Sequence, residues 1–420
     1  MAADSAVTIG GPYGPKVYNT VNKLFALSKF HPVGIMVYSS AQIMGVPIET
    51  VIKHFRQHEL GKDQFSTLSE YALRFRTFLE TDQKVFPQSA RVESSIEVVQ
   101  AKFRSLRQIL ASEFRNKPDR RAVRRCRGDL ISRFHDALQN EPNIPSATDA
   151  FRDTISQILG QREDSFYNAL YHNWIPLTES EKGQVRDLMV WFLLKEDAIA
   201  DADLPDLGGG ETGVVIAGFG ADEFFPRIEA MEFVFSCDGT SKYNNSMSAA
   251  VHENCSCVVI PFAQVDMVKT FMDGRTPSFD VAIGEATATF FGNKVDAIRA
   301  NSHLSRAQKR KAVSDIEALF REFADTYHNF VTKWTEEQQW GPTIQTIASL
   351  PKEELATIAE ALINLTVHKR RASPRAETVG PPVDVAVISK GDGLVWIKRK
   401  HYFDPTLNPH FMENYFRENL

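Results

Sequence analysis

Cysteine is scarce in this chain: Cys126, Cys237, Cys255 and Cys257 are all that occur in 420 residues. So few thiols cannot make a disulfide framework at this length, and they suit a reducing compartment. Cys255-Ser-Cys257 could offer two metal ligands with His252 as a third, but a C-x-C pair lacks zinc-ribbon spacing and a second pair. No metal is expected. If 255–260 is a strand, the two sulfurs share one face and serve as small buried apolar groups. Long apolar runs are also missing: no stretch reaches the ~18 uninterrupted apolar residues of a membrane span. No charged-then-apolar leader with a cleavage site is seen. The expectation is a soluble, cytoplasmic protein without a membrane partner. Gly208-Gly209-Gly210 has no Lys-Ser/Thr after it, which excludes a phosphate loop, and no cofactor is expected. A strong excess of one charge is lacking as well. A net charge of −5 and a pI near 6.2 give no global pull towards nucleic acid or an anionic membrane.

What is present is the composition of a globular protein, 43% hydrophobic and 24% charged, long enough for one large domain or two ordinary ones. Ala2–Gly45 consists of short apolar runs broken by turns: 2–8, a Gly/Pro turn at 10–15, the run from Lys16, and Val33–Tyr38 after His31-Pro32. These read as strands. Brought together by neighbouring strands, Asp4 and Lys23 would be a polar pair on a rigid support, as catalytic groups often are. A surface carboxylate and a surface lysine are the alternative.

From Pro47 the period becomes helical, with apolar residues at 48, 51, 52 and 55. A second helix opens at Ser66 or Thr67 and runs through Tyr71, Phe75 and Phe78. Residues 60–205 read as a helical insertion or cap that includes Val98–Phe114, 148–160 and 179–196, with Trp174 and Trp191. Asp119–Arg127 holds five arginines in nine residues. It could form a phosphate patch, but the acidic total and the lack of interleaved aromatics favour a solvated helix face or subunit contact, so nucleic acid is an unlikely partner. After a loop at 198–210, Thr212–Gly220 reads as a buried strand, Pro226–Phe235 as a half-exposed one, and 257–262 as a strand running into a helix. Residues 275–340 form a second helical insertion, whose basic segment 306–311 reads as a solvated face. Leu355–Leu365 is an amphipathic helix opened by Pro351-Lys-Glu-Glu. Val383–Ser389, a turn at Lys390-Gly-Asp-Gly393, and Leu394–Lys398 make a closing hairpin.

Ala-Ala-Asp-Ser-Ala-Val-Thr at 2–8 and Asn-Lys-Leu-Phe-Ala-Leu at 22–27 resemble the opening of proteasome-type subunits of the amino-terminal-nucleophile hydrolases. Val-Ile-Ala-Gly-Phe at 215–219 with Arg-Ile-Glu-Ala at 227–230 resembles a central strand pair, and Gly380 through the 383–398 hairpin resembles the closing segment. The resemblance implies an α+β fold, the four-layer αββα sandwich, as a single domain over 1–420 with large helical insertions. It carries the family's Asp role onto Asp4 and its Lys role onto Lys23, with Lys16 as the weaker match. The acid and hydroxyl that support the family's threonine amine fall nearest Glu377 and Thr378. A hydroxyl expected near the 263 junction is replaced by Gln264. The family's threonine lies on a strand ahead of the Ala-Asp motif, so the nucleophile is expected upstream of Met1 or is absent. Two functions follow: a divergent peptide- or amide-hydrolysing enzyme, or a non-catalytic scaffold subunit of the same fold. Either is expected to be a homo-oligomer, the first with a protein or peptide substrate.

Overall fold

The computed structural model describes residues 1–9, 16–113, 119–171, 175–196, 207, 210–373, 379–401, 403–410 and 413. It is a mixed α+β protein whose paired strands are antiparallel. Contacts divide it into a first unit of Met1–Asn19, Ala250–Val387 and Trp396–Lys400, and a second of Thr20–Ala249, Ile388–Val395 and His401–Leu420. The chain opens with β1 (Ala2–Ala3), β2 (Val7–Ile9) and β3 (Lys16–Tyr18). Strands β4 (Leu24–Ala26), β5 (Val33–Tyr38), β6 (Gln42–Ile43) and β7 (Val46–Pro47) follow. Then come helices α1 (Ile48–His54), α2 (Leu68–Thr81), α3 (Gln88–Glu113), α4 (Arg120–Gln139), α5 (Asp149–Gly160), α6 (Glu163–Leu170) and α7 (Glu179–Leu194). Strands β8 (Thr212–Gly218), β9 (Arg227–Cys237) and β10 (Thr240–Ala250) lead to α8 (Asp266–Asp273), α9 (Pro277–Ala300) and α10 (Arg306–Thr335). The last elements are α11 (Gly341–Ala348), α12 (Lys352–Arg371), β11 (Asp384–Ser389) and β12 (Gly393–Lys398). Among the described residues no helix is long and apolar enough to cross a membrane.

In the second unit the sheet runs β10-β9-β8-β5-β4. Alternation sets its register: Ile35 faces Ile216 and Val37 faces Val214, so one face is a continuous aliphatic layer. That layer packs against Val51, Ile52 and Phe55 of α1 and the π-helical turn that extends it, and against Phe75 and Phe78 of α2. Phe55 meets Phe75 edge-on at 5.0 Å. Each such side chain stabilises the fold by about 1.5–3 kcal/mol when buried. A second core joins α3–α7 through Phe103, Phe134, Phe151 and Phe192. Arg91 of α3, buried, donates to the carbonyls of Phe86, Leu79 and Asp82 and to Ser236. Burial lowers its pKa.

Three sequence expectations change. The arginine run lies on α4, and Arg120, Arg121, Arg124 and Arg125 are exposed as a solvated face requires. Arg127 instead is fully buried. Its Nε donates to Glu181 Oε1 at 2.9 Å and its Nη2 to Oε2 at 3.0 Å, while Nη1 reaches the Ile175 carbonyl at 2.8 Å. The helix period turns the fifth arginine inward. Residues 257–262 form no strand, because His252 and Cys255 close a tight bridged turn before them. The sulfurs therefore do not share a pleated face, and the Cys255 thiol points to the Cys257 carbonyl at 3.7 Å. Strand β10 has no counterpart in the sequence reading. Its polar run Ser-Lys-Tyr-Asn-Asn-Ser hides it, although Asp238-Gly239 ahead of it, both at positive φ, is hairpin chemistry.

In the first unit, β1-β11-β12 form a three-stranded sheet. Helix α12 covers it, with Ala356 and Ile363 packed on Ala2, Val383 and Val385. Its next turns, Ile358 and Leu362, meet Val268 and Met272 of α8. Helices α9 and α10 form an antiparallel hairpin seamed by Phe291 and Phe320, ring centroids 5.3 Å apart.

Two outcomes follow for the second unit. Gly218 sits at φ 145°, and a Cβ there would lie 2.0 Å from the Pro32 carbonyl oxygen, a backbone atom that already accepts the Phe219 N–H. Gly218→Ala is expected to lower stability by more than about 3 kcal/mol in denaturant unfolding, because strain and backbone clash add. Burial alone would raise the Glu181 pKa, but the bonds from Arg127 and the Thr178 N–H outweigh it, and the carboxyl titrates below its ordinary 4.5. A depressed carboxylate contributes stability that is complete above the ordinary value and disappears as pH falls through the folded one. Glu181→Gln should therefore flatten the acid limb of a Tm-versus-pH curve below pH 4.5. Glu181→Ala, which strands a buried guanidinium, should cost about 3–5 kcal/mol at neutral pH.

Candidate functional site

Asp4 follows β1 directly, and its position depends on the pairing of β1 with β11. Ala2 stands opposite Val385 and Ala3 opposite Asp384, and the Ala386 N–H donates to the Met1 carbonyl at 2.9 Å. Small side chains at 2 and 3 let α12 approach this strand pair closely. The chain then turns, and Asp4 Oδ2 accepts two backbone hydrogen bonds, from Ala6 N–H at 2.9 Å and from Gly380 N–H at 3.1 Å. Ser5 completes the tie. Its N–H donates to the Gly380 carbonyl at 3.0 Å, and its fully buried hydroxyl donates to the Pro382 carbonyl. Gly380 itself is tightly enclosed: a Cβ there would lie 2.5 Å from Asn19 Oδ1.

A second carboxylate stands one position from Asp4 in this register. Asp384, buried opposite Ala3, accepts the Lys400 backbone N–H at 2.8 Å and a second bond from the Lys400 ammonium. Sequence reasoning passed over this pair, because Asp384 is embedded in a run of valines that reads as a plain core strand. The clue was a charged residue on an otherwise apolar strand, which needs a partner when buried.

Of the residues expected to form a site, Asp4 is brought to Gly380, two residues beyond Thr378. Glu377 and Thr378 themselves lie outside the described residues. Lys23 belongs to the second unit, half-buried immediately before β4, where its carbonyl accepts the Val37 N–H at 2.8 Å. Lys16, the weaker match, is exposed on β3 opposite Ile9. Gln264, found where a hydroxyl was expected, lies ahead of α8 and accepts a hydrogen bond from Arg370 Nη2 at the end of α12. Trp174 and most of the 198–210 loop are also outside the described residues. Among the described residues no cluster of three or more His, Cys, Asp and Glu side chains could hold a metal ion.

The second unit also carries an open cleft of about 360 Å³ where the β5–β6 turn meets α3 and the start of β8. Its polar lining includes Gln42, Glu97, Gln100, Arg104 and Thr212, and neither Asp4 nor Lys23 lines it. Thr212 is already engaged with the Gln42 carbonyl at 2.8 Å.

The Asp4 carboxylate thus serves as an anchor for two amides from distant parts of the sequence. Asp4→Ala should leave the Ala6 and Gly380 N–H groups without their acceptor, at a cost of about 1–3 kcal/mol. Hydrogen exchange should show faster exchange at Ala6, Gly380 and along β11 than in the parent, with the β5–β8–β9 core unchanged; uniform loosening would contradict this local role. Comparison of the chain with protein-family models, with curated protein sequences and with solved structures finds no match.

Proposed function

We propose that this protein is a divergent proteasome-type amino-terminal-nucleophile hydrolase, an αββα sandwich in architecture, acting on peptide or related amide bonds. The observation that carries this reading is the pairing of the Ala-Ala-Asp-Ser segment with the 380–385 segment, through β1–β11 and the two amides held by Asp4. These are the opening and closing stretches that resemble the family, and they meet in the first unit. The second supporting fact is the antiparallel order β4-β5-β8-β9, which brings the 22–27, 215–219 and 227–230 stretches into one sheet.

In this reading a terminal hydroxyl, borne on a strand ahead of the Ala-Asp segment, attacks the carbonyl and its own α-amine takes the proton. Lys23 is given the family lysine's role, disfavouring protonation of that amine through like-charge repulsion, and Asp4 holds the 380 turn. Glu377 and Thr378 support the amine. A non-catalytic scaffold of the same fold is the second reading. It is favoured by Gln264, whose amide replaces the expected hydroxyl and is taken up by Arg370.

Terminal sequencing and intact mass of the product of the native gene, with its upstream DNA, separate the two. The expected result is a mature chain that begins with Thr, Ser or Cys and cleaves fluorogenic peptide amides. Lys23→Ala should lower kcat by about 10²-fold or more with little change in KM. A mature protein that begins at Met1 or Ala2 and turns over no amide substrate would overturn the enzyme reading and leave the scaffold.

A further inference from the structure

The helical hairpin of the first unit exposes more apolar surface than two helices can cover. Neither α9 nor α10 has a buried residue along its whole length. Their mutual seam uses Phe291 and Phe320, yet a second stripe runs beside it on each helix. On α10 this is Leu319, Phe323, Phe330 and Trp334, spaced four, seven and four residues apart. On α9, Phe279, Ala286, Phe290 and Ala297 are spaced seven, four and seven. Those intervals are the a/d positions of helices that pack in bundles. The two stripes are continuous with the seam: Phe290 and Phe323 both contact Phe291, at centroid distances of 5.5 and 6.2 Å. Yet Phe290 is 57% exposed, Phe330 65% and Leu319 55%.

Charge identifies what fits there. The turn end of the hairpin, residues 289–320, has six basic side chains against three acidic, a formal +3. The opposite end, residues 277–288 and 321–340, has two basic against six acidic, a formal −4. A second hairpin laid antiparallel on the first sets each basic end against an acidic one, whereas a parallel arrangement sets like against like. The size also suits. Helix α9 has 24 residues, or ~36 Å at ~1.5 Å per residue, and two helices side by side are ~20 Å wide. The face therefore measures ~700 Å², close to the ~800 Å² per partner of a standard stable interface.

We infer that the α9–α10 hairpin is a self-association surface, and that its occupant is a second copy of this chain packed antiparallel to form a four-helix bundle. The inference does not depend on any enzymatic reading of the first unit.

Sedimentation velocity of the full chain up to about 100 μM tests it. The parent protein is expected to dimerise, and Phe290→Glu with Phe330→Glu to raise the dimer Kd by about 100-fold or more, with far-UV circular dichroism and Tm unchanged because both side chains are exposed. Lys309→Glu with Lys311→Glu should weaken the dimer, and adding Glu336→Lys with Glu337→Lys should restore it. A mere sticky surface would not be rescued by charge reversal. A parent that stays monomeric over this range, an oligomer indifferent to the two Phe substitutions, or a dimer that the second reversal fails to restore would each overturn the proposal.

Discussion

The first unit depends on one long-range contact. Asp4 and Gly380 are separated by 376 residues, and a single carboxylate oxygen joins the turn after the first strand to the turn before β11. The net worth of such a charge-assisted bond is modest, about 1.5–3 kcal/mol. Its importance is positional. It fixes where β1 lies on β11, and hence which side chains face α12. Ser5 reinforces it by binding both sides of the same turn, so three polar groups of one short segment hold it to the 380–382 turn.

The second unit is held differently, by two aromatic and aliphatic cores into which a few cations are threaded. Arg91 and Arg127 are both enclosed, but they solve the cost of burial in opposite ways. Arg127 has a bidentate carboxylate, and Glu181 in turn completes the capping box of α7, so the ion pair and the helix start share one residue. Arg91 disperses its charge over carbonyl oxygens from the α2–α3 connection and a serine of β9. A neutral side chain of the same volume could not satisfy those carbonyls. The cation therefore defines the geometry of that connection as much as it is tolerated by it.

The parts of the fold that were legible in the sequence are those where one face is apolar and the period is clean. Val33–Tyr38, Thr212–Gly218, α1 and the closing hairpin all have that pattern, and their boundaries came within a few residues; α12 has it too, but runs on to Arg371, past the Leu365 at which the pattern is read to end. Strand β10 escaped because its sequence is mostly polar, with Tyr243 its one large core contact, so alternation carried little signal; the Asp-Gly turn was the main cue. The 257–262 run was apolar enough to suggest a strand but lacked a partner, which sequence pattern cannot reveal. For the site, Asp4 was singled out by type and spacing, and the structure adds what it holds. That Gly380 would be its partner depended on a contact across hundreds of residues and left no local trace; that Asp384 would find Lys400 was hinted at only by the need of a charge on an apolar strand for a partner.

The division of the chain has a consequence for biosynthesis. The stretch from Thr20 to Ala249 is contiguous and contains nearly all of the second unit's cores, so a ribosome delivers it whole, and it can collapse while the rest is still being made. Strand β1, by contrast, is made hundreds of residues before β11, its ladder partner among the described residues. Until β11 is made, its edge is unpaired. Keeping that strand two residues long, and made of alanine, limits what it can stick to while it waits.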